Sequence, residues 1–162
     1  MAAAAAPRER AHDRAQIFAG LGAAYSRQGM FAEAVNAFTG GLEYAPNDAD
    51  ARLELAQAHG LLVIEDCAHA IETEYRGQPA GTLGDYGCFS FYVTKNVVTG
   101  EGGMVIAKDE EALSRIKVLA LHGMSKDACK RFSDAGYEHY YVQSAGYKHN
   151  MMDLQAALGI HQ

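Results

Sequence analysis

The sequence predicts an α/β fold with a mostly parallel sheet, preceded by a helical hairpin. Over residues 14–48, apolar side chains recur three and four positions apart, which is helical spacing. Over residues 49–162, short apolar runs alternate with glycine-rich turns and an amphipathic stretch, which is typical of strands alternating with helices. We therefore expect a disordered, alanine-rich start at 1–13, a helical hairpin at 14–48 and an α/β domain at 49–162.

Composition and charge narrow the function classes. The chain has 162 residues, which is about one domain, and a net charge of −6, which argues against nucleic acid as a partner. It has no apolar run long enough to span a membrane and no secretory signal. Its three cysteines are scattered, which favours free thiols in a reducing compartment. We expect a cytoplasmic protein that binds neither nucleic acid nor membranes.

The helical hairpin is predicted to consist of two short amphipathic helices. Gly29 separates them, and Pro46 follows the second. The pattern resembles a tetratricopeptide repeat (TPR) of about 34 residues. The residues that carry this resemblance are Phe18, Leu21, Gly22, Tyr25, Gly29, Ala34, Phe38 and Pro46. One interpretation is a TPR-like hairpin that binds a protein partner, and the other is a hairpin that only packs on the second half of the chain.

The α/β part contains three predicted strands, at Leu61–Glu65, Tyr86–Val93 and Gly102–Lys108. An irregular, glycine-containing stretch separates the first two. The predicted helix over Asp109–Leu121 begins with three acidic residues, which suit the positive end of a helix dipole. A long loop over Ser125–His149 and a last helix over Asp153–Ile160 complete the prediction.

Lys95 follows the second predicted strand, between Ser90 and a glycine-rich turn at 100–103. Asp66 follows the first strand, at the strand end where α/β proteins form ligand sites. A lysine that condenses with an aldehyde and an acid that pairs with a ring nitrogen are the two protein groups that pyridoxal phosphate chemistry needs most. The alternatives are a solvated loop lysine and an aspartate that caps a turn.

Motifs of other site classes are absent from the sequence. The glycine-rich turn lacks the following Lys-Ser or Lys-Thr of a nucleotide-binding P-loop. Neither the HExxH pattern of zinc proteases nor the Gly-x-Ser-x-Gly pattern of serine hydrolases occurs. The histidines also do not cluster at metal-ligand spacing, so we expect no metal site.

From about residue 49 to the end, the sequence resembles the DegT/DnrJ/StrS family of sugar aminotransferases. The blocks that carry the resemblance are His59–Ala70, Gly84–Asp85, Phe89–Phe91, Lys95–Asn96, Thr99–Gly103, Leu121–Gly123 and Asn150–Ala157. Members of that family are fold-type I enzymes that depend on pyridoxal 5′-phosphate (PLP). They move an amino group, usually from glutamate, onto a keto group of a nucleotide-linked sugar. The resemblance implies a PLP cofactor, a nucleotide-sugar substrate and an amino-acid donor.

The resemblance also implies a role for each site residue. Lys95 would attach the cofactor covalently and carry the proton between the substrate and cofactor carbons. Asp66 would pair with the pyridine nitrogen, and His69 would lie by the ring and its phenolic oxygen. Ser90 would donate to the cofactor phosphate. Asn150 would reach the phosphate in the neighbouring subunit, which implies a homodimer with shared active sites.

The likeness covers only the middle part of the family's large domain. The resemblance therefore implies a partial fold-type I large domain, without the helix that cradles the cofactor phosphate and without the small C-terminal domain. We expect an aminotransferase, and an active and an inactive chain are the two interpretations that stand. A TPR-type interaction module and a non-functional chimera remain the alternatives.

Overall fold

The structure is a computed structural model that describes residues 7–124 and 141–162. It divides into two compact units, Met1–Val63 and Ile64–Gln162. The first unit contains helices α1 (Pro7–Arg27), α2 (Phe31–Tyr44) and α3 (Ala49–Ala58). The second contains strands β1 (Ile64–Asp66), β2 (Glu74–Tyr75), β3 (Gln78–Pro79), β4 (Tyr86–Ser90) and β5 (Gly103–Ala107), and helices α4 (Glu110–Ala120) and α5 (Asp153–Gly159).

Helix α1 begins earlier than the sequence predicts. It starts at Pro7, so the prediction of disorder over 1–13 is wrong for residues 7–13. The physical reason is that proline suits the first helical position, where its fixed φ is already helical and its missing N–H costs nothing. Glu9 in the first turn and Arg27 in the last turn also match the helix dipole. The first unit extends past residue 48 to include α3, which begins after the N-cap Asp48.

The first unit packs its helices closely at small residues. Phe38 of α2 is 1% exposed. A Cβ added to Gly22 of α1 would lie 2.6 Å from Cε1 of Phe38, so the absence of a side chain is what lets the two helices approach. The two predicted helices are confirmed, whereas the tetratricopeptide assignment stays a prediction.

The second unit holds a three-stranded sheet in the order β1-β4-β5. β1 pairs with β4 in parallel, and β4 pairs with β5 antiparallel. The prediction of a mostly parallel sheet is therefore wrong for the described strands. Residues 91–102, which join β4 to β5, contain no helix, whereas a parallel return needs a crossover that is usually helical.

A β-hairpin that the sequence analysis missed lies between β1 and β4. β2 and β3 pair antiparallel around Arg76 and Gly77, whose φ angles are 52° and 76°. Two consecutive positive φ angles are characteristic of the tight turns that join hairpin strands, and Asn-Gly or Asp-Gly is the usual signal for them. Arginine in the first position hid the turn from sequence reasoning.

The predicted strand Leu61–Glu65 is displaced: β1 begins only at Ile64 and includes Asp66, which the prediction placed after the strand. The other predicted strands and helices of this unit are confirmed with shorter bounds. Asp109 caps α4, because its Oδ1 accepts the N–H of Glu111 at 2.9 Å. The predicted long loop lies partly at 125–140, outside the described residues. Its described end makes isolated antiparallel bridges, from Lys148 to Leu121 and from Val142 to Met124. Among the described residues, no helix combines the length and the apolar character that a membrane span requires.

Two alanine substitutions in α1 test the close packing of the first unit. We expect Gly22→Ala to lower the free energy of unfolding by about 1–3 kcal/mol, because the new methyl group overpacks against the buried Phe38 ring. Gly20→Ala is the matched control, since a Cβ there has nothing within 4 Å. Alanine at that helical position should stabilise the unit by up to about 1 kcal/mol.

Urea unfolding followed by circular dichroism measures both changes. Opposite signs for the two substitutions support the packing of α1 on α2. Equal shifts of the same sign would contradict it.

Candidate active site

β1 and β4 run parallel, so their carboxyl ends lie along the same edge of the sheet. Asp66 lies opposite Cys88 in the register, and Ser90 follows two positions later. The N–H of Cys67 donates to the carbonyl oxygen of Cys88 at 2.8 Å, which extends the pairing one residue past β1. Because parallel strands end on the same side, Asp66 and Ser90 lie at the same edge of the sheet.

Asp66 leads into a tight turn that carries His69. Oδ1 of Asp66 accepts the N–H of Ala68 at 3.1 Å. The N–H of Ala70 donates to the carbonyl oxygen of Cys67 at 3.0 Å. These two bonds shape the turn, and both Asp66 and His69 remain exposed. A carboxylate and an imidazole are thus presented together at the end of β1.

Lys95 lies within hydrogen-bond distance of His69. The distance from Nζ of Lys95 to Nε2 of His69 is 2.9 Å. Lys95 is half-buried, and His69 is exposed. The two residues are 26 positions apart in the chain, so the fold brings them together. Since the lysine follows β4 and the histidine follows β1, their contact spans the ends of the two parallel strands.

Lys95 belongs to the segment 91–102, which we call the lysine loop. Two hydrogen bonds of Phe91 close its base. The N–H of Phe91 donates to the carbonyl oxygen of Gly102, and the carbonyl oxygen of Phe91 accepts from the N–H of Thr99, both at 2.9 Å. The N–H of Lys95 itself donates to the carbonyl oxygen of Tyr92 at 2.9 Å. Backbone bonds therefore fix the lysine loop on both sides of Lys95.

Thr99 has a role in the lysine loop that sequence reasoning missed. It is 2% exposed, and its Oγ1 donates to the carbonyl oxygen of Glu101 at 3.1 Å. A buried hydroxyl that bonds the backbone two residues on stabilises a tight turn. The signal was the threonine that precedes the glycine-rich turn, which we interpreted only as part of the family pattern.

Ser90 and Asn150 have different surroundings. Oγ of Ser90 accepts the N–H of Tyr92 at 3.4 Å, so its hydroxyl proton can point elsewhere. Oδ1 of Asn150 accepts a hydrogen bond from Nζ of Lys148. No described hydrogen bond joins Asn150 to the lysine loop. The structure thus brings Asp66, His69, Ser90 and Lys95 to one sheet edge, and it leaves the role of Asn150 as a prediction.

The carboxylate of Glu65 binds two backbone N–H groups of the segment before β4. Its Oε2 accepts the N–H of Gly81 at 2.8 Å, and its Oε1 accepts the N–H of Gly84 at 2.7 Å. The same side chain therefore fixes the chain before β4 and the strand that ends in Asp66. Gly81 also lies directly over Gly87, where neither position has room for a Cβ. The sequence shows an acid beside Asp66 but gives no sign of these two backbone partners.

Comparison with known proteins identifies the family. Residues 42–162 match the DegT/DnrJ/EryC1/StrS aminotransferase family. The chain belongs to this family. The match confirms the resemblance found in the sequence, and with it the dependence of the family on PLP.

Relatives cover most of this chain, but the chain covers only part of each relative. The spore coat polysaccharide biosynthesis protein SpsC of Bacillus subtilis is 57% identical over 115 residues, which are 71% of this chain and 30% of SpsC. A protein of Methanocaldococcus jannaschii, MJ1066, is 52% identical over 117 residues, which are 72% of this chain and 30% of that protein. The chain thus spans about a third of the length of these curated relatives.

Solved aminotransferases share the fold of the same region. Helicobacter pylori PseC, an aminotransferase involved in the biosynthesis of pseudoaminic acid, has a TM-score of 0.60 and 30% identity, over 71% of this chain and 29% of PseC. Streptococcus pneumoniae Spr1654 in its PLP-form has a TM-score of 0.53 and 34% identity, over 62% of this chain and 25% of that protein. These neighbours show that the α/β part has the fold of family members.

The residues at the sheet edge fit the family's cofactor. A primary amine, a carboxylate and a hydroxyl are the groups needed for an aldehyde, a ring nitrogen and a phosphate. The chain supplies them as Lys95, Asp66 and Ser90 around the ends of β1 and β4. The amine also lies 2.9 Å from Nε2 of His69.

Cys67, the residue after Asp66, is buried. It is 3% exposed. Burial raises the pKa of the Cys67 thiol above its ordinary value of 9.0, and the negative charges of Glu65, Cys88 and Asp66 raise it further. The folded protein therefore keeps this thiol protonated to higher pH than the unfolded chain does. The stability that this provides is present below pH 9.0 and is lost as the pH rises through the raised value.

Alkylation separates Cys67 from the exposed Cys88. At pH 8 we expect iodoacetamide to modify Cys88 on the order of ten-fold faster than Cys67, because the thiolate is the nucleophile and Cys67 is both buried and protonated. Peptide mass mapping assigns each label, and labelling in urea is the control in which the difference disappears. Similar rates in the folded protein would contradict the burial of Cys67.

Proposed function

We propose that this chain carries the cofactor-attachment region of a PLP-dependent sugar aminotransferase. The observation that supports this most directly is the 2.9 Å contact between Lys95 and His69 at the edge formed by β1 and β4. Backbone hydrogen bonds on both sides of Lys95 fix the lysine loop, and the side chain is half-buried, which favours a site lysine over a solvated one. The chain belongs to a PLP-dependent aminotransferase family, which supports an aldehyde cofactor as the group that binds this amine.

Each residue has a distinct task in the proposed reaction. The bound cofactor supplies an electron sink that lets a proton and an amino group move between carbon atoms. Nζ of Lys95 would hold the cofactor's aldehyde carbon, with the aldehyde oxygen leaving as water, and once released would carry the proton that moves between carbon atoms. The Asp66 carboxylate would accept a hydrogen bond from the ring N–H and so favour the protonated ring. His69, in contact with Nζ, orients the lysine amine.

The proposal also covers the substrate, the amino donor and the oligomeric state. The names of SpsC and PseC refer to the biosynthesis of a polysaccharide and of pseudoaminic acid, which supports a sugar as the amino acceptor. We further propose a nucleotide-linked keto sugar as the substrate and glutamate as the donor. The proposal includes a cytoplasmic homodimer in which Asn150 contacts the neighbouring subunit's cofactor, and a protein partner for the TPR-like hairpin.

Reductive trapping of the cofactor tests the proposal on this chain without requiring turnover. After incubation with PLP and reduction with sodium borohydride, we expect the mass label on the peptide that contains Lys95. Lys95→Arg keeps the positive charge but cannot attach the aldehyde, so the label should disappear. Lys108→Arg is the matched control, because Lys108 is an exposed lysine of the same unit that donates to the carbonyl oxygen of Leu83.

Asp66→Asn refines the test. It removes a charge-assisted hydrogen bond worth about 1.5–3 kcal/mol, so half-labelling should require on the order of ten-fold more PLP or more. Equal labelling of all lysines, or unchanged labelling in Lys95→Arg, would refute the proposed attachment.

A further inference from the structure

The side-chain amide of Gln162 forms three hydrogen bonds, two with the lysine loop and one with α5. Its Oε1 accepts the N–H of Val98 at 2.9 Å. Its Nε2 donates to the carbonyl oxygen of Val98 at 2.7 Å and to that of Leu158 at 2.6 Å. One amide thus satisfies both backbone groups of Val98, as a neighbouring β-strand would. We call this pair of bonds between Gln162 and Val98 the amide clamp.

Two apolar contacts place the same region of the chain against the lysine loop. A Cβ added to Gly102 would lie 3.0 Å from the Met151 side chain, just before α5. A Cβ added to Gly159 would lie 3.3 Å from Cγ2 of the buried Thr99. Both glycines are therefore points of close approach, and the amide clamp is one of three places where residues 151–162 support the lysine loop.

The clamped residue lies close to Lys95 in the chain. Lys95 is held on its N-terminal side by the bond from its own N–H to Tyr92, and the loop base is closed at Thr99. Val98 is the residue between Lys95 and Thr99 whose two backbone groups bond to Gln162. Without the two bonds to Gln162, the backbone between Lys95 and Thr99 would be less constrained. The position of the Lys95 Cα would then be less well fixed.

We propose that Gln162 is a positioning residue for Lys95, which it holds in place for attachment to an aldehyde cofactor through the amide clamp on Val98. This inference rests on the proposed function and adds a residue 67 positions away in the sequence, which touches neither Lys95 nor His69 in the described contacts. The clamp acts on the backbone, so it constrains the lysine without altering its chemistry.

Two substitutions at Gln162 and one neighbouring control test the clamp. Gln162→Ala removes both bonds to Val98. Gln162→Glu keeps an acceptor for the Val98 N–H but loses the donors to the two carbonyl oxygens. His161→Ala is the matched control, since His161 is exposed at the same chain end and has no described side-chain hydrogen bond.

The first measurement is hydrogen exchange of the Val98 amide by NMR, which needs no cofactor. We expect Gln162→Ala to speed exchange at least ten-fold, Gln162→Glu to restore part of the protection, and His161→Ala to leave it unchanged. Unfolding midpoints measured in parallel show that the variants remain folded. Unchanged exchange in Gln162→Ala would overturn the clamp.

The second measurement is the rate at which PLP, trapped with borohydride, labels Lys95 relative to Lys108 in the same molecule. A purely structural role would leave this ratio unchanged, whereas we expect a several-fold fall in Gln162→Ala and a partial recovery in Gln162→Glu. Faster exchange at Val98 with an unchanged labelling ratio would overturn the positioning role.

A third reagent separates this inference from the proposed function. If the unaltered chain carries no PLP label on Lys95, the proposed function fails. Acetic anhydride then probes the Lys95 amine directly, and we expect faster acetylation in Gln162→Ala because the half-buried amine loses its fixed position. Equal acetylation rates in the two proteins would overturn the inference as well.

Discussion

The site depends on the parallel pairing of β1 with β4. This register places Asp66 opposite Cys88, and the bond from Cys67 N–H to the Cys88 carbonyl continues the pairing to the start of the His69 turn. A shift of one residue would turn Asp66 to the other face of the sheet, because side chains alternate along a strand.

The surrounding contacts secure this register and the lysine loop. Glu65 holds the backbone of Gly81 and Gly84, so the segment before β4 cannot slide along β1. On the other side, the antiparallel return to β5 closes the lysine loop into a short connection, and Gln162 bonds it from outside. The reactive side chains of His69 and Lys95 thus lie in turns and loops, and hydrogen bonds to the backbone fix the positions of these segments.

The sequence predicted the parts of the site that depend on residue type and order. Lys95, Asp66, His69 and Ser90 were predicted together because a family pattern fixes their spacing, and their roles toward a cofactor stay predictions. Short apolar runs marked the strands. It could not predict the partners of Glu65 or Gln162, because both side chains bond backbone groups, which leave no mark in the sequence. The β2–β3 turn was missed because Arg76 occupies a position where asparagine is usual. The direction of β5 was missed because apolar runs do not encode strand orientation.

This chain's own fold brings the Lys95 amine to His69 beyond the end of β1. Solution NMR of the cofactor-free chain tests it most directly. We expect a nuclear Overhauser contact between the Lys95 side-chain CεH₂ group and the His69 ring, together with a coupling across the Cys67–Cys88 backbone hydrogen bond. A protein that is folded, as judged by its dispersed spectrum, but shows neither signal would contradict the account.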